Sequence, residues 1–206
     1  MNLNELDLTK ILKQNWHPAA ETVRNIVKKY GWHVLGEGSE ALVAHKPGAD
    51  YVLKLFENTS KYSLFVSYCQ QHPDNSFVPR FSRYVKPVPG TSYSYVRMEK
   101  LLPVTNYELM KDYPEYLCAI HLLFKQKQGK VWWNSAMQRR DLDQLFFRHG
   151  FVSLEDCAQK APPQFIQTIK DLVAIMQLNK LEQFDLHSGN MMIRQPGQLV
   201  ITDPLI

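Results

Sequence analysis

Apolar residues recur at helical spacing at the start of the chain and at shorter intervals soon afterwards. The helical spacing runs over residues 4–30 and stops at Gly31, which predicts an N-terminal helical extension over residues 1–30. Its apolar positions include Leu6, Leu8, Ile11, Leu12, Val23, Ile26 and Val27. Residues 32–56 carry short alternating and apolar runs instead, and these predict a group of β-strands.

The middle of the chain predicts a helix between strands, and the rest predicts mostly helices. Residues 60–71 have apolar side chains at helical spacing and stop before Pro73, so they predict a helix. Strands are predicted over residues 81–85 and 93–98, on either side of a proline-rich turn, and residues 99–103 form the next connection. Later helices are predicted over residues 107–124, 134–147 and 163–178.

The composition is that of an ordinary globular protein. The 206 residues are 45% hydrophobic and 21% charged, which provides enough apolar material for a sizeable core. No apolar run reaches the roughly 18 residues that a membrane span needs, and the first residues lack a signal-peptide pattern. The formal net charge of +4 is mild, so nucleic-acid binding is not predicted.

The three cysteines point to a reducing compartment. Cys69, Cys118 and Cys157 are odd in number and widely spaced, which is typical neither of a disulfide framework nor of a metal site. We therefore predict three reduced thiols and a cytoplasmic location without membrane contact.

Three oxygen-bearing side chains follow one another near the end of the chain at a spacing with chemical meaning. Asp185 precedes Asn190 by five residues within Asp-Leu-His-Ser-Gly-Asn, and Asp203 follows a segment that we predict as a β-hairpin. A carboxylate can accept the proton of a hydroxyl group, while an amide oxygen and a second carboxylate can hold the Mg²⁺ that bridges ATP phosphates. The spacing predicts Asp185 as a catalytic base and Asn190 and Asp203 as metal ligands.

A second group of candidate residues lies upstream, in the predicted strands. Gly36 and Gly38 would let the backbone approach phosphate closely because they lack a Cβ, and Ser39 and Val43 are further candidates of the same nucleotide-binding segment. Lys54 lies in the apolar run Tyr-Val-Leu-Lys-Leu-Phe, where a buried ammonium group is costly unless an anion meets it. Taken alone, the Asp185–Asn190 pattern also suits a turn, and Lys54 also suits an ordinary edge strand. The order of these patterns along the chain favours a nucleotide site.

In this order, the glycine loop, the strand lysine, the acidic loop and the final carboxylate resemble the motifs of the protein-kinase-like superfamily. Residues 184–193 (Phe-Asp-Leu-His-Ser-Gly-Asn-Met-Met-Ile) and 201–204 (Ile-Thr-Asp-Pro) resemble in particular the serine/threonine protein kinase domain of T7-like bacteriophages. The resemblance covers residues 30–206 and thins out over residues 105–180. It implies ATP and Mg²⁺ as cofactors and transfer of the γ-phosphate to proteins in the host bacterial cytoplasm, with the enzyme itself as a further candidate substrate.

The resemblance also implies an α+β fold, a minimal bilobal protein-kinase-like arrangement. Residues 31–101 would form a small lobe built on an antiparallel sheet, and residues 102–206 a helical lobe with the catalytic loop. Lys54 would act in catalysis by holding the α- and β-phosphates of ATP, while Glu99 and Leu101 would face the adenine.

Several positions depart from the pattern of these kinases. The helix predicted over residues 60–71 contains no acidic residue, although such kinases place a glutamate there to pair with the strand lysine. Glu57 and Gln71 are then the candidates to pair with Lys54. Three residues follow Asp203, so we expect the activation segment and the distal helices of the helical lobe to be lacking.

Two other functions are open at this point. The acidic loop also resembles that of aminoglycoside and choline-type kinases, which phosphorylate small alcohols, and the missing helix glutamate favours a pseudokinase that inhibits a host factor. Basic residues beside Trp132 and Trp133 suit a partner or nucleic-acid surface, although we expect a solvated helix there. His187 suits a hydrogen bond that braces the loop better than the role of a second base.

Overall fold

Among the residues that it describes, the computed structural model contains a five-stranded antiparallel sheet, a three-stranded sheet and α-helices, which confirms the α+β class. The described residues are 20–37, 41–57, 61–88, 91–125, 148–181, 184–186 and 188–205. Within them, every helix is too short or too polar to cross a membrane. The chain divides into two units, one with the described residues up to Val66 and Arg80–Lys100, the other with Ser67–Pro79 and the residues from Leu101 onward.

The sheet of the first unit has the strand order β1-β2-β3-β5-β4, with antiparallel neighbours throughout. Its strands are β1 (His33–Glu37), β2 (Ala41–His45), β3 (Tyr51–Glu57), β4 (Lys86–Pro87) and β5 (Tyr93–Glu99). All five inner residues of β3 are buried. A strand that is covered on both faces needs apolar side chains on both, which explains why β3 appears in the sequence as a continuous apolar run.

One face of this sheet is covered by α1 (Ala20–Lys29), the first helix of the described chain. Val23 and Val27 share a buried cluster with Trp32 and with side chains of the strands. Gly31 ends the helix with a φ of +75°, a conformation that glycine adopts without strain. The last third of the predicted N-terminal extension is thus a helix, and residues 1–19 lie outside the described part.

Aromatic rings pack on the side of the sheet that carries Phe56. The next helix, α2 (Tyr62–Gln71), begins there, and the Tyr62 ring centroid lies 5.0 Å from that of Phe56. Phe65 has 0% of its surface exposed and meets the Phe81 ring edge-on at 6.3 Å. Edge-to-face ring pairs contribute about 0.5–1.5 kcal/mol beyond the area that they bury, so this cluster fixes the start of α2.

Helices dominate the second unit. They are α3 (Asn106–Asp112), α4 (Pro114–Lys125), α5 (Leu154–Ala158) and α6 (Pro163–Leu178), the last with the predicted bounds. Phe165 of α6 is fully buried, and its ring lies 5.3 Å from Phe77 and 4.7 Å from Tyr116. Thr105 begins α3 with a capping box, in which its side chain and that of Glu108 exchange hydrogen bonds with each other's backbone N–H.

A three-stranded sheet completes the second unit. It consists of β6 (Leu102–Pro103), β7 (Met191–Arg194) and β8 (Gln198–Ile201), in that order. β7 and β8 form the hairpin that the sequence predicts between Asn190 and Asp203. Leu199, Val200 and Ile201 are fully buried, so the strand that leads to Asp203 is anchored in the core.

Two predicted elements are wrong in part. The strand predicted over residues 81–85 is reduced to a single bridge between Phe81 and Met98. Tyr84 and Val85 are exposed, so this part of the segment has no apolar side chains packed against the core. The helix predicted over residues 107–124 is broken before Pro114, whose ring cannot donate the backbone hydrogen bond that a helix interior needs. The helix predicted over residues 134–147 lies outside the described residues.

The prediction of three reduced thiols is also wrong, and the cysteines therefore give no support to the predicted cytoplasmic location. Cys118 of α4 and Cys157 of α5 form a disulfide, with their Cα atoms 5.9 Å apart. The packing of α5 against α4 brings the two cysteines together. Their separation of 39 residues in the sequence does not by itself indicate that they pair. Cys69 is buried and is not part of this bridge.

Candidate functional site

The acidic loop of the second unit is closed by the side chain of Asn190. Its Nδ2 donates to the backbone oxygen of Asp185 at 2.9 Å and to Oδ2 of the same residue at 2.8 Å. A short 3₁₀ turn over Ser188–Asn190 makes this return of the chain possible. The structure thus brings two of the predicted site residues into direct contact.

Backbone hydrogen bonds on both sides of Asp203 tie it to the same loop. The N–H of Thr202 donates to the carbonyl of Asn190 at 2.9 Å, and the N–H of Asp185 donates to the carbonyl of Pro204 at 2.8 Å. Phe184 and Leu205 form a further bridge, and both are buried. Asp185, Asn190 and Asp203 therefore belong to one hydrogen-bonded assembly, which we call the loop–hairpin site.

Arg194, at the end of β7, anchors the hairpin of this site to an earlier segment of the chain. Its Nη1 donates to the carbonyl of Ser76 at 2.5 Å, and its Nη2 donates to that of Val78 at 2.8 Å. The carbonyl between them, on Phe77, accepts from the N–H of Ile201 at 2.9 Å. Three successive carbonyls thus hold the two strands of the hairpin, and the sequence gave no sign of this role for Arg194.

In the first unit, three predicted residues form a row across the sheet. Gly36 pairs with Val43, and Val43 pairs with Lys54, in the registers of β1–β2 and β2–β3. Residues directly opposite each other in antiparallel strands project from the same face. At Gly36, an added Cβ would meet no atom within 4 Å, so neither packing nor backbone conformation requires a glycine there.

Lys54 is buried, with 9% of its surface exposed. Its Nζ lies 4.6 Å from the centroid of the Tyr62 ring, a cation–π contact. The first residue of α2 thus meets the lysine with an aromatic ring.

The two residues predicted to face adenine are placed differently. Glu99 ends β5, where its Oε1 accepts from the N–H of Arg80 at 2.7 Å and its own N–H donates to the Arg80 carbonyl at 2.9 Å. This carboxylate therefore has a structural contact. Leu101 is buried and belongs to the second unit.

The donor set of the loop–hairpin site suits Mg²⁺. Because Asn190 donates through Nδ2 to Asp185, its Oδ1 is the atom with which it would meet a cation. Mg²⁺ prefers such oxygen ligands and is often held by one or two protein groups together with phosphate. Within the described residues, no group of three or more His, Cys, Asp or Glu side chains is arranged to hold a metal.

A polar recess of about 350 Å³ lies between the end of α2 and α6. The Tyr68 hydroxyl donates to Oδ2 of Asp171 at 3.1 Å, and Asn75 donates to Oγ1 of Thr168 at 2.8 Å. Burial, and then the Asp171 carboxylate, raise the pKa of Tyr68, so its phenol stays a donor. These groups bond to one another, which indicates that they join the segment before Phe77 to α6.

Five predicted positions lie outside the described residues. They are Gly38, Ser39, His187 and the Trp132–Trp133 pair.

Comparisons with known proteins add little. No family model and no curated protein matches the chain. Among solved structures it is similar to an aminoglycoside phosphotransferase, in the streptomycin–ATP ternary complex of APH(2″)-IIa. The identity is 14%, the match covers 91% of this chain and 72% of that chain, and the TM-score is 0.29. A score this low carries no argument for a family or a substrate.

Proposed function

We propose that this chain is an ATP- and Mg²⁺-dependent phosphotransferase, and specifically a serine/threonine protein kinase that acts on proteins of a host bacterial cytoplasm and on itself. The observation that carries the proposal is the loop–hairpin site. A carboxylate, an amide and a second carboxylate, which are 18 residues apart in sequence from first to last, are joined by one set of hydrogen bonds. Phosphoryl transfer depends on such placement of oxygen groups.

Asp185 would accept the proton of the attacking hydroxyl group. Its Oδ2 is held by the Asn190 amide, which fixes the direction of the carboxylate before a substrate arrives. Asn190 and Asp203 would hold Mg²⁺, which when bound neutralises phosphate charge. The backbone bonds of Thr202 and Asp185 limit the movement of Asp203 relative to this base.

The row in the first unit would bind the nucleotide. Lys54 would hold the α- and β-phosphates, because a buried ammonium group gains most from an anion. Gly36 has open space where a Cβ would stand, which suits close approach of a phosphate, and Val43 lies beside it in the row. Gly38 and Ser39 would continue that contact. Leu101 and the backbone at Glu99 would meet the adenine.

A labelling experiment with two classes of acceptor tests this function. Wild type, Asp203→Ala and the surface control Asp112→Ala are incubated with γ-labelled ATP and Mg²⁺, with a bacterial lysate or with a panel of aminoglycosides and choline-type alcohols. We expect label on proteins with wild type and Asp112→Ala, and none with Asp203→Ala. Label on alcohols alone would identify a small-molecule kinase. An absence of label with folded wild type would favour the pseudokinase.

A further inference from the structure

We infer that the Cys118–Cys157 disulfide is a redox-sensitive support of the loop–hairpin site, so that reduction of this bridge weakens Mg-ATP binding and phosphoryl transfer. The inference rests on the proposed function of that site. It follows from a continuous set of contacts within the second unit, which runs from the bridge through three aromatic rings to the strand before Asp203.

The bridge holds a short helix in place. α5 consists of five residues, of which Cys157 and Ala158 are buried. Just before it, Val152 has 89% of its surface exposed. A helix of this length is not stable by itself, because nucleation costs more than one turn of hydrogen bonds returns. The covalent bond to Cys118 in α4 is therefore a principal restraint on where α5 lies.

A tight connection passes the position of α5 on to α6. The N–H of Lys160 donates to the carbonyl of Cys157 at 3.1 Å, and Ala161 is buried. Pro162 and Pro163 follow, and their rings fix the backbone φ at the start of α6. Because the connection has so little freedom, a displacement of α5 also displaces the first turn of α6.

Three rings join this first turn to α4 and to the segment before Val78. The Phe165 ring lies 4.7 Å from that of Tyr116 and 5.3 Å from that of Phe77, and the latter two rings are 6.0 Å apart. Ring pairs of this kind prefer particular separations and angles, and a packed interior leaves few gaps to absorb a shift. Both partners therefore respond when Phe165 moves.

The ring cluster in turn holds the hairpin of the loop–hairpin site. The carbonyl of Phe77 accepts from the N–H of Ile201 at 2.9 Å, two residues before Asp203. A fourth ring, that of Tyr113, packs against the cluster, and its hydroxyl donates to the carbonyl of Gly197 in the turn of the hairpin at 2.9 Å. Release of α5 from α4 would loosen both attachments of the hairpin.

Opening of the bridge needs an external thiol reagent. A thiolate of a dithiol attacks Sγ of Cys118 or Cys157, the bond between the two sulfur atoms breaks, and the second thiol of the reagent then releases the cysteine from the mixed disulfide. The bridge gains two electrons and two protons, and the dithiol is oxidised to its own disulfide. Both cysteines have 0% of their surface exposed, so α5 must move away from α4 before the attack.

Amide exchange tests the coupling independently of any activity. It is measured at Ile201 in oxidised wild type, in wild type reduced by a small dithiol, and in the double variant Cys118→Ser, Cys157→Ser. We expect exchange about fivefold faster or more in the last two samples, and no effect of the dithiol on the double variant. Amides of β3, in the first unit, should exchange equally in all samples, which excludes general unfolding.

Two results of this experiment would overturn the inference. One is an equal exchange rate at Ile201 before and after reduction. The other comes from titration of the free thiols in each sample: a bridge that the dithiol does not open in the folded protein is not a switch.

The variant Tyr116→Leu tests whether the rings carry the coupling. It keeps the bridge and removes the ring contacts of position 116 with Phe165. Exchange at Ile201 should then be fast already in the oxidised state, and reduction should add less than about twofold to it. Tyr107→Leu, at an exposed tyrosine of the same unit, should behave as wild type. If Tyr116→Leu retains the full effect of reduction, the path through these rings is wrong.

Mg-ATP binding and transfer of label then show whether the bridge regulates the proposed site. We expect the Kd, measured by calorimetry, to rise about fivefold or more on reduction of wild type and of the control Cys69→Ser, which keeps the bridge, and to stay constant in the double variant. Equal binding and transfer in the two redox states would overturn the inference and leave the proposed function standing. Failure of the oxidised protein to bind Mg-ATP would overturn the proposed function and the regulatory role with it, whereas exchange at Ile201 would still show whether the bridge supports the hairpin.

Discussion

Lys54 and the loop–hairpin site are held in place by different forces. The lysine lies in the middle of a sheet, where paired strands and a cluster of rings surround it. Asp185, Asn190 and Asp203 lie in irregular chain next to a hairpin, where specific hydrogen bonds hold them. The difference shows that one chain can fix charged groups either by the shape of the packing around them or by individual donors and acceptors.

Each means of support has its own sensitivity. A packed side chain can be replaced by one of similar volume at little cost in stability. A substitution that opens a cavity around it destabilises the fold. A hydrogen-bonded loop tolerates little change at a single atom, because a buried group that loses its partner costs about 1–3 kcal/mol.

The largest effect is expected from Asp185→Asn, which keeps the shape of the loop and removes the proposed base. Turnover should fall by about 10²–10⁴, the usual contribution of general base catalysis. The Kd for Mg-ATP should stay within about twofold, since the proposed nucleotide contacts are elsewhere. Steady-state kinetics and calorimetry measure the two quantities. Full activity of Asp185→Asn would show that this carboxylate is not the base.

Removal of the disulfide should weaken the second unit and leave the row around Lys54 in place. Closing a loop of 39 residues is worth up to about 4 kcal/mol in the chain-entropy account. We expect the double variant Cys118→Ser, Cys157→Ser to lose about 2–4 kcal/mol of unfolding free energy in urea. The single variant Cys69→Ser is the control. Equal stability of the double variant and the oxidised wild type would argue against this bridge.

Arg194→Gln tests the hydrogen-bonded support directly. Hydrogen bonds from a charged group are worth about 1.5–3 kcal/mol each, and the variant loses two of them. Amide exchange at Ile201 should accelerate, and Mg-ATP should bind more weakly, because the strand before Asp203 is less restrained. Arg148→Gln, at an exposed arginine of the same unit, should change neither. Unchanged exchange at Ile201 in Arg194→Gln would remove Arg194 from the support of the site.

The smallest effect concerns the capping box of α3. Hydrogen bonds from the backbone and side chain of Thr105 lower the pKa of the Glu108 carboxyl. A lowered pKa stabilises the fold above the usual value of 4.5, and this contribution disappears as the pH falls through the lowered pKa. Glu108→Gln should therefore be slightly less stable than wild type at neutral pH and equally stable in acid. A stability difference that does not depend on pH would contradict this.

The sequence predicted what is encoded locally. The loop from Asp185 to Asn190 and the hairpin to Asp203 are short in sequence, so the spacing alone indicated which groups would meet. The helix over residues 163–178 was confirmed because its apolar stripe is long and continuous. The central strand around Lys54 was confirmed because burial on both faces leaves an apolar run.

Features that depend on distant parts of the chain could not be predicted in this way. The pairing of Cys118 with Cys157 follows from the contact of two helices, which no spacing rule reveals. In the sequence, Tyr62 is indistinguishable from any other apolar residue of a helix. Its position over Lys54 depends on how α2 packs against the sheet. In the sequence, Arg194 is an ordinary polar residue at the end of a strand. Its hydrogen-bond partners lie more than 115 residues earlier in the chain.

The most direct test of the account is Mg²⁺-dependent ATP binding by wild type, Asp203→Ala and Asp112→Ala, measured by calorimetry with Mg²⁺ and with EDTA. We predict that Mg²⁺ strengthens ATP binding by about tenfold or more in wild type and in Asp112→Ala, and that Asp203→Ala loses this enhancement. Equal enhancement in Asp203→Ala, or none in wild type, would contradict the assignment of the loop–hairpin site as the centre of phosphoryl transfer.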